Sequence, residues 1–211
     1  MASDQVARLL PAGRLERLAA RALYSFERPL VVIVTAGALR VFRNAAFVHD
    51  VTLFYARPGD VLAPGALFED RSAENGAQAI VDSELLLLTR GAFEAAAATE
   101  AGLYVDVARN LGLRADRIQQ KIEGLSRAPV EARVAAALLE LADLFGASVE
   151  AGIRLDLPLS QADLAELAGT TRESASQAVA VFARRGFVRG SRLKGLVILD
   201  RAGLDRLRRA M

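Results

Sequence analysis

The sequence predicts an α+β protein with an N-terminal antiparallel β-roll, a long central helix and a C-terminal winged helix-turn-helix. Three observations predict this order. Short runs of β-branched and aromatic residues recur at about ten-residue spacing before residue 88. A helical repeat of apolar residues follows Gly91, and two short capped helices meet near residue 169. We therefore expect a roll domain over 1–98, a dimerisation helix over 99–127 and a winged helix-turn-helix domain over 128–211.

The roll is predicted from strands separated by turns. Leu30–Val34 and Val51–Tyr55 are rich in residues that favour strands, and Leu39–Arg43 alternates apolar and basic side chains. Pro-Gly pairs and polar runs mark the connections. Two turns and a loop are predicted at 57–60, 63–65 and 72–76.

A coiled-coil seam is predicted in the central helix. Its apolar residues are three or four positions apart, and charged residues occupy most of the positions between them. The seam consists of Tyr104, Val107, Leu111, Ala115, Ile118, Ile122 and Leu125. A narrow apolar stripe of this kind is typical of a parallel dimer, so we expect a homodimer. A repeat this short leaves open the alternative that the helix lies on its own sheet.

A second domain is predicted to begin near residue 128. Gly124–Pro129 breaks the long helix, and Pro129 can begin the next one, which continues apolar to Leu144. The alternation in Ile153–Leu157 predicts a strand. Phe187–Arg189 and Leu196–Leu199 flank a basic turn and predict a β-hairpin wing.

Two capping boxes predict a helix-turn-helix between these strands. Ser160 stands three residues before Asp163, and Gly169 ends the short helix that follows. Thr170 stands three residues before Glu173 and is predicted to cap a second helix over 171–184. The buried stripe of that helix is predicted to be Ala175, Ala178, Val179 and Phe182.

The exposed face of the second helix is the candidate site. Arg172, Glu173, Ser176 and Gln177 share this face, at the end that enters the major groove in this motif. Arginine can bind guanine, glutamate can accept from cytosine and glutamine can pair with adenine. Phosphate contacts are predicted at the helix starts and the wing, for Ser160, Gln161, Thr171, Ser174, Arg192 and Lys194. An ordinary solvated face is the alternative.

The charge distribution supports a polyanionic partner, double-stranded DNA. The net charge of the chain is only +2, but residues 170–211 contain ten basic and three acidic side chains. This segment therefore has a balance of +7, which leaves −5 for the rest of the chain. An arginine-rich solvated helix is the alternative on charge alone.

Composition excludes several classes of site. The chain has no cysteine and one histidine, His49, so disulfides, thiolate nucleophiles, iron–sulfur clusters and Cys-bound zinc are excluded. We expect no metal, no cofactor and no enzymatic activity, because no pair of carboxylates has a spacing that suggests a catalytic site. No apolar run reaches the roughly 18 residues of a membrane span, and Met1–Gln5 does not resemble a leader. A cytoplasmic protein without a membrane partner is expected.

Three segments resemble the cAMP receptor protein/FNR family of bacterial transcription regulators. Residues 159–177 read LSQADLAELAGTTRESASQ, which follows the family pattern T-x-x-x-L-A-x-x-x-G-x-[ST]-R-E-[ST]-V-[SG]-R. Val34–Arg43 and Arg57–Val61 resemble strings of the family's cyclic-nucleotide-binding roll. The resemblance implies a homodimeric regulator that reads a pseudo-palindrome and activates transcription through contact with RNA polymerase. Repression by occlusion fits the residues equally.

Departures from the family pattern concern both base reading and effector binding. Gln177 stands where the family usually has arginine, so a guanine contact is either lost or exchanged for adenine. Gly65–Leu67 lacks the glutamate that binds ribose, and Glu74-Asn75 stands where the phosphate-binding Arg-Ser is expected, with Arg71-Ser72 offset upstream. We therefore expect no cAMP binding.

An unidentified effector that binds the roll and gates DNA binding is the alternative. The basic side chains that the sequence offers to such an anion are Arg40, Arg43, Arg57 and Arg71.

Overall fold

The computed structural model describes residues 1, 3–26, 30–43, 51–68, 75–100, 102–190 and 193–209. The chain divides into two compact units, residues 1–117 and 118–211. The division falls inside the long helix α3 (Gly102–Arg127). His49, Arg71, Ser72, Glu74 and Arg192 lie outside the described residues.

The first unit consists of two antiparallel sheets with helices beside them. One sheet has the order β1-β7-β3 and the other β2-β6-β4-β5. The strands are β1 (Arg14–Leu18), β2 (Leu23–Ser25), β3 (Val31–Ala36), β4 (Leu39–Arg43), β5 (Val51–Ala56), β6 (Asn75–Ala79) and β7 (Ser83–Leu88). The helices are α1 (Ser3–Leu9), α2 (Arg90–Thr99) and the first part of α3.

The apolar run in β7 is continuous because both faces of its sheet are covered. Leu85 and Leu87 belong to a core shared with the second sheet, whereas Leu86 and Leu88 belong to a core shared with Phe93 of α2. Successive strand residues point to opposite faces, so a strand buried on both sides shows no alternation. The same argument explains the uninterrupted Val31–Val34 run of β3.

Most strand predictions are confirmed, with corrections at their edges. The predicted 63–65 turn is part of a 3₁₀ helix over Pro64–Leu67. The predicted 72–76 loop is wrong at its end, because Asn75 and Gly76 pair with β4 as the start of β6. Helix α1 and strands β1 and β2 were not predicted from the sequence. Their patterns are weak, and β1 is a strand through its pairing with β7.

The seam prediction needs one correction. Val107 is 1% exposed and lies in the core of its own unit, so it faces the roll and not a partner. The alternative of a helix on its own sheet therefore applies at Val107. Ala108 is exposed, and a seam with Ala108 in place of Val107 would have a regular spacing of four and three residues along α3. The side chains of Ile122 and Leu125 lie outside the described residues.

The second unit is a helical bundle with a four-stranded antiparallel sheet of order β10-β11-β9-β8. Helix α4 packs against the three helices that follow it, and its Val134, Leu138 and Leu141 are buried. The elements are α4 (Val130–Phe145), β8 (Gly146–Val149), β9 (Gly152–Leu155), α5 (Gln161–Ala168), α6 (Arg172–Arg184), β10 (Val188–Arg189), β11 (Leu196–Ile198) and α7 (Arg201–Arg209). The predicted wing is β10 with β11, and β9 extends its sheet.

The predicted fold class is confirmed: an N-terminal antiparallel roll, a long helix and a C-terminal winged helix-turn-helix. Among the described helices, none offers the length of apolar sequence that a bilayer crossing requires.

Candidate DNA interface

The turn of the helix-turn-helix is fixed by its caps. The Ser160 hydroxyl accepts from the Asp163 N–H at 3.2 Å, and the Asp163 carboxylate accepts from the Ser160 N–H at 2.7 Å. This is the predicted capping box. Helix α5 ends at Gly169, which is in the left-handed conformation with φ of 60°. The Thr170 N–H donates to the Ala165 carbonyl at 2.9 Å and closes the last turn of α5.

The start of α6 differs by one residue from the prediction. Thr171, and not Thr170, is the N-cap, because its hydroxyl accepts from the Ser174 N–H at 3.2 Å. Thr170 is needed to complete the end of α5, so the predicted box between Thr170 and Glu173 does not form. Glu173 remains in the first turn of α6, where its charge is favourable to the helix dipole.

Replacement of Gly169 by alanine is expected to destabilise the second unit. A residue with a Cβ pays about 1–2 kcal/mol to adopt the left-handed conformation that Gly169 requires. Urea unfolding of the full chain would measure the loss. Gly169→Asn is the matched control, because asparagine adopts this conformation more readily and should lose less. Equal stability of the alanine variant and the original chain would contradict the expectation.

Helix α6 buries one face and exposes the predicted base-reading face. All four predicted stripe residues are buried. On the other side Arg172, Glu173 and Gln177 are exposed and Ser176 is half-buried. Within the described part of the chain, none of these four side chains makes a hydrogen bond or an ion pair. The structure therefore brings the four residues together on a surface that is available to a partner.

The residues predicted to contact phosphate differ in whether their side-chain donors already hydrogen-bond within the protein. The Ser160 hydroxyl donates to the Asp163 carboxylate at 2.6 Å, and the Thr171 hydroxyl donates to Ser174 at 3.0 Å. The side chain of Gln161 is half-buried. At Ser160 and Thr171 the protons of the hydroxyls are therefore already used within the caps. Lys194 is exposed at the tip of the wing.

The basic residues of the second unit differ in whether they form ion pairs. The arginines of α7 form ion pairs with aspartates, which are Arg201–Asp143, Arg206–Asp200, Arg208–Asp205 and Arg209–Asp205. Among the residues that the structure describes, four cations on α6 and the wing have no ion pair. These are Arg172, Arg184, Arg189 and Lys194. Most of the unneutralised charge thus lies on the helix-turn-helix and its wing, where a polyanion would bind.

Two contributors to this surface were not predicted from the sequence. Arg184 lies eleven residues after Glu173 and so shares its exposed face, three turns further along α6. Arg133 of α4 donates to the Gly169 carbonyl at 3.3 Å and so supports the turn. The periodicity of α6 could have revealed Arg184, whereas the Arg133 contact depends on how α4 packs. No three acidic or histidine side chains in the described ranges converge as a metal site would require.

Comparison with known proteins places this geometry in a family. Residues 132–207 match the model of the Crp-like helix-turn-helix domain. The transcriptional regulator SdrP of Thermus thermophilus is 30% identical over 159 residues, which cover 75% of this chain and 74% of that protein. The chain belongs to the CRP/FNR family of transcription regulators.

Other relatives agree with the CRP/FNR assignment. The CRP-like cAMP-activated global transcriptional regulator of Mycobacterium tuberculosis is 28% identical over 157 residues, 74% of this chain and 70% of that protein. A crystal structure of a CRP-family transcriptional regulator from Thermus thermophilus superimposes with a TM-score of 0.74 at 26% identity, covering 92% of this chain and 96% of that one. CRP/FNR proteins are transcription regulators with a helix-turn-helix DNA-binding domain, and not enzymes.

Proposed function

We propose that this chain is a homodimeric regulator that reads a pseudo-palindromic site in double-stranded DNA through α6. The observation that carries the proposal is the exposed face of α6, where Arg172, Glu173, Ser176 and Gln177 have no partner within the described residues. A recognition helix of this motif presents such side chains to base edges. The caps of α5 and α6 and the wing contribute the phosphate contacts, through backbone N–H groups and Lys194.

Dimerisation is proposed through α3. The regular seam of this helix is exposed in the single chain at Tyr104, Ala108, Ala115 and Ile118, and half-buried at Leu111. An exposed apolar stripe with a heptad spacing favours a second copy of the same helix. In such a dimer the two α6 helices read successive major grooves, about 34 Å apart on one face of the duplex. We propose the division 1–98, 99–127 and 128–211 for the roll, dimerisation helix and DNA-binding domain.

We propose that the protein activates transcription in the cytoplasm, with RNA polymerase as its protein partner. We propose that it does so without cAMP. The Mycobacterium tuberculosis relative is described as cAMP-activated. In this chain Ala66 and Leu67 are buried in an apolar core, and Gly65–Leu67 supplies no carboxylate for a ribose. No metal or cofactor enters the proposed mechanism.

Footprinting on genomic fragments at low salt tests the function. We expect protection of a two-fold symmetric site that extends over about two helical turns. Absence of a protected palindrome on every fragment would contradict the proposal.

Replacement of Lys194 by alanine is expected to weaken binding to all DNA sequences alike. Its ammonium group contacts phosphate in the proposed complex, so its loss should reduce the salt dependence of the affinity by about one unit of slope per half-site. Anisotropy titrations at several salt concentrations, on specific and random duplexes, measure both effects. Arg208→Ala is the matched control, because Arg208 is already paired with Asp205 and should change neither quantity. A loss confined to the specific duplex would contradict the phosphate role of Lys194.

A further inference from the structure

Two residues, Ala128 and Pro129, connect α3 to α4 within the second unit. Ala128 is buried, and Pro129 is the N-cap of α4, where its carbonyl accepts from the Arg133 N–H at 3.2 Å. Proline fixes its own φ but has no N–H to donate, so Pro129 stiffens the connection without tying it to a neighbouring element. A tie between this connection and the helix-turn-helix therefore has to come from a side chain.

The guanidinium of Arg133 supplies such a tie. Its Nη1 donates to the Ala128 carbonyl at 3.5 Å, and its Nη2 donates to the Gly169 carbonyl at 3.3 Å. Gly169 is the left-handed residue that ends α5 and leads into α6. A guanidinium is planar and holds its donors in a fixed geometry, so it keeps the two carbonyls at a set separation. One side chain thus links the end of α3 to the turn that begins α6.

A second polar contact joins the first turn of α4 to the far end of α6. Arg185, the C-cap of α6, lies 3.9 Å from Glu131, and both side chains are about half exposed. Exposed ion pairs of this kind contribute little, because water and salt screen them. Arg133 differs, because its Nε is buried and has no hydrogen-bond partner among the described residues. A buried donor without a partner costs stability, which favours a geometric role for this side chain.

We propose that Arg133 is a positioning residue that fixes α6 relative to the end of α3 and so sets the half-site spacing that the dimer accepts. This inference rests on the proposed function, because a spacing exists only for a dimer that reads two half-sites. Each added base pair moves the second half-site by about 3.4 Å and turns it by about 35°, so two rigidly held helices fit one spacing. A looser connection lets the helices follow such a change, as flexible linkers between binding modules do.

Palindromic duplexes that differ in the spacer between their half-sites test the inference, with the half-site taken from selection on a random DNA pool. We expect the original chain to bind the best spacer at least about tenfold more tightly than spacers one base pair longer or shorter. Arg133→Met retains the apolar stem but neither donor, so its preference should fall to about threefold or less. Affinity for random duplexes should change less than about twofold, because Arg133 contacts no phosphate in the proposed complex.

Arg154→Met is the matched control, because it removes the same groups from another part of the second unit. Arg154 lies in β9 and pairs with Asp156 at 2.7 Å. It should retain the spacer preference of the original chain. Arg133→Lys is a second variant, which answers the question if Arg133→Met does not fold. Lysine retains the charge but offers one nitrogen in place of two, so the preference should fall here as well.

Melting temperatures show which variants are folded, and binding is compared below the onset of unfolding. A residue with a purely structural role would lower the melting temperature and leave the spacer preference unchanged. Folded Arg133 variants that discriminate between spacers as sharply as the original chain would therefore overturn the inference, as would an equal loss in Arg154→Met. Absence of a spacer preference in the original chain itself would overturn the proposed dimeric reading together with this inference.

Discussion

Arg172→Ala is expected to weaken binding to the specific DNA site by about 1–3 kcal/mol per half-site, while binding to random DNA changes little. Arg172 is exposed in the first turn of α6 and has no ion pair within the described residues. In the proposed complex it binds a guanine edge through two N–H donors, and this contact exists only where the sequence provides guanine. Competition titrations with specific and random duplexes measure the two affinities separately.

Arg172→Lys separates base reading from charge. Lysine retains the positive charge but not the planar pair of donors, so its affinity for random DNA should equal that of the original chain. Specific affinity should still fall. Equal losses on specific and random DNA in Arg172→Ala would show that Arg172 contacts phosphate and does not read a base.

Ile118→Glu is expected to separate the proposed dimer and to reduce specific DNA affinity by about 100-fold or more. Ile118 is 37% exposed in the single chain and lies on the regular seam of α3. Facing glutamates would bring like charges into an apolar interface. Loss of linkage between two binding modules costs two or more orders of magnitude in affinity. Sedimentation velocity measures the mass of the assembly, and anisotropy measures DNA binding on the same sample.

Leu113→Glu is the matched control for Ile118→Glu. Leu113 is 54% exposed on the same helix, and its position in the heptad lies away from the seam. This variant should remain dimeric and should bind the specific site with unchanged affinity. A monomeric Leu113→Glu, or a dimeric Ile118→Glu with full DNA affinity, would contradict the proposed seam.

The order of elements could be predicted because each part has a local signature. Ser160 and Asp163 specify the start of α5, Gly169 specifies its end, and the stripe from Ala175 to Phe182 specifies the buried face of α6. Caps and helical periodicity act within a few residues of one another, so they can be recognised before the fold is known. The predicted base-reading face follows from the same periodicity, since it is the side that the stripe leaves exposed.

Other features could not be predicted because they depend on contacts between distant residues. Val107 and Ala108 are both apolar and both compatible with a heptad, and only the packing of α3 on the roll shows that Val107 is buried. The same packing half-buries Arg114, which donates to the Val61 carbonyl, although its place in the sequence suggests an ordinary solvent-exposed position of a coiled coil. Strand β1 likewise exists because β7 pairs with it.

The charge balance of residues 170–211 gives the sign of this surface but not the places where its charge is unpaired. The +7 of residues 170–211 correctly marks the basic part of the chain, but it weights the α7 arginines equally with Arg172 and Lys194. The structure shows that the four α7 arginines pair with three aspartates, so most of their charge is offset. The free charge is therefore smaller than the count and is concentrated on α6 and the wing.

Selection of bound sequences from a random DNA pool tests the central claim most directly, namely that a two-fold dimer reads DNA through α6. The expected result is a pseudo-palindrome with half-sites whose centres lie about ten base pairs apart. Adenine should be preferred at the position read by Gln177, and Gln177→Arg should change that preference to guanine. An enriched sequence without two-fold symmetry, or the same enriched sequence for both proteins, would contradict the account.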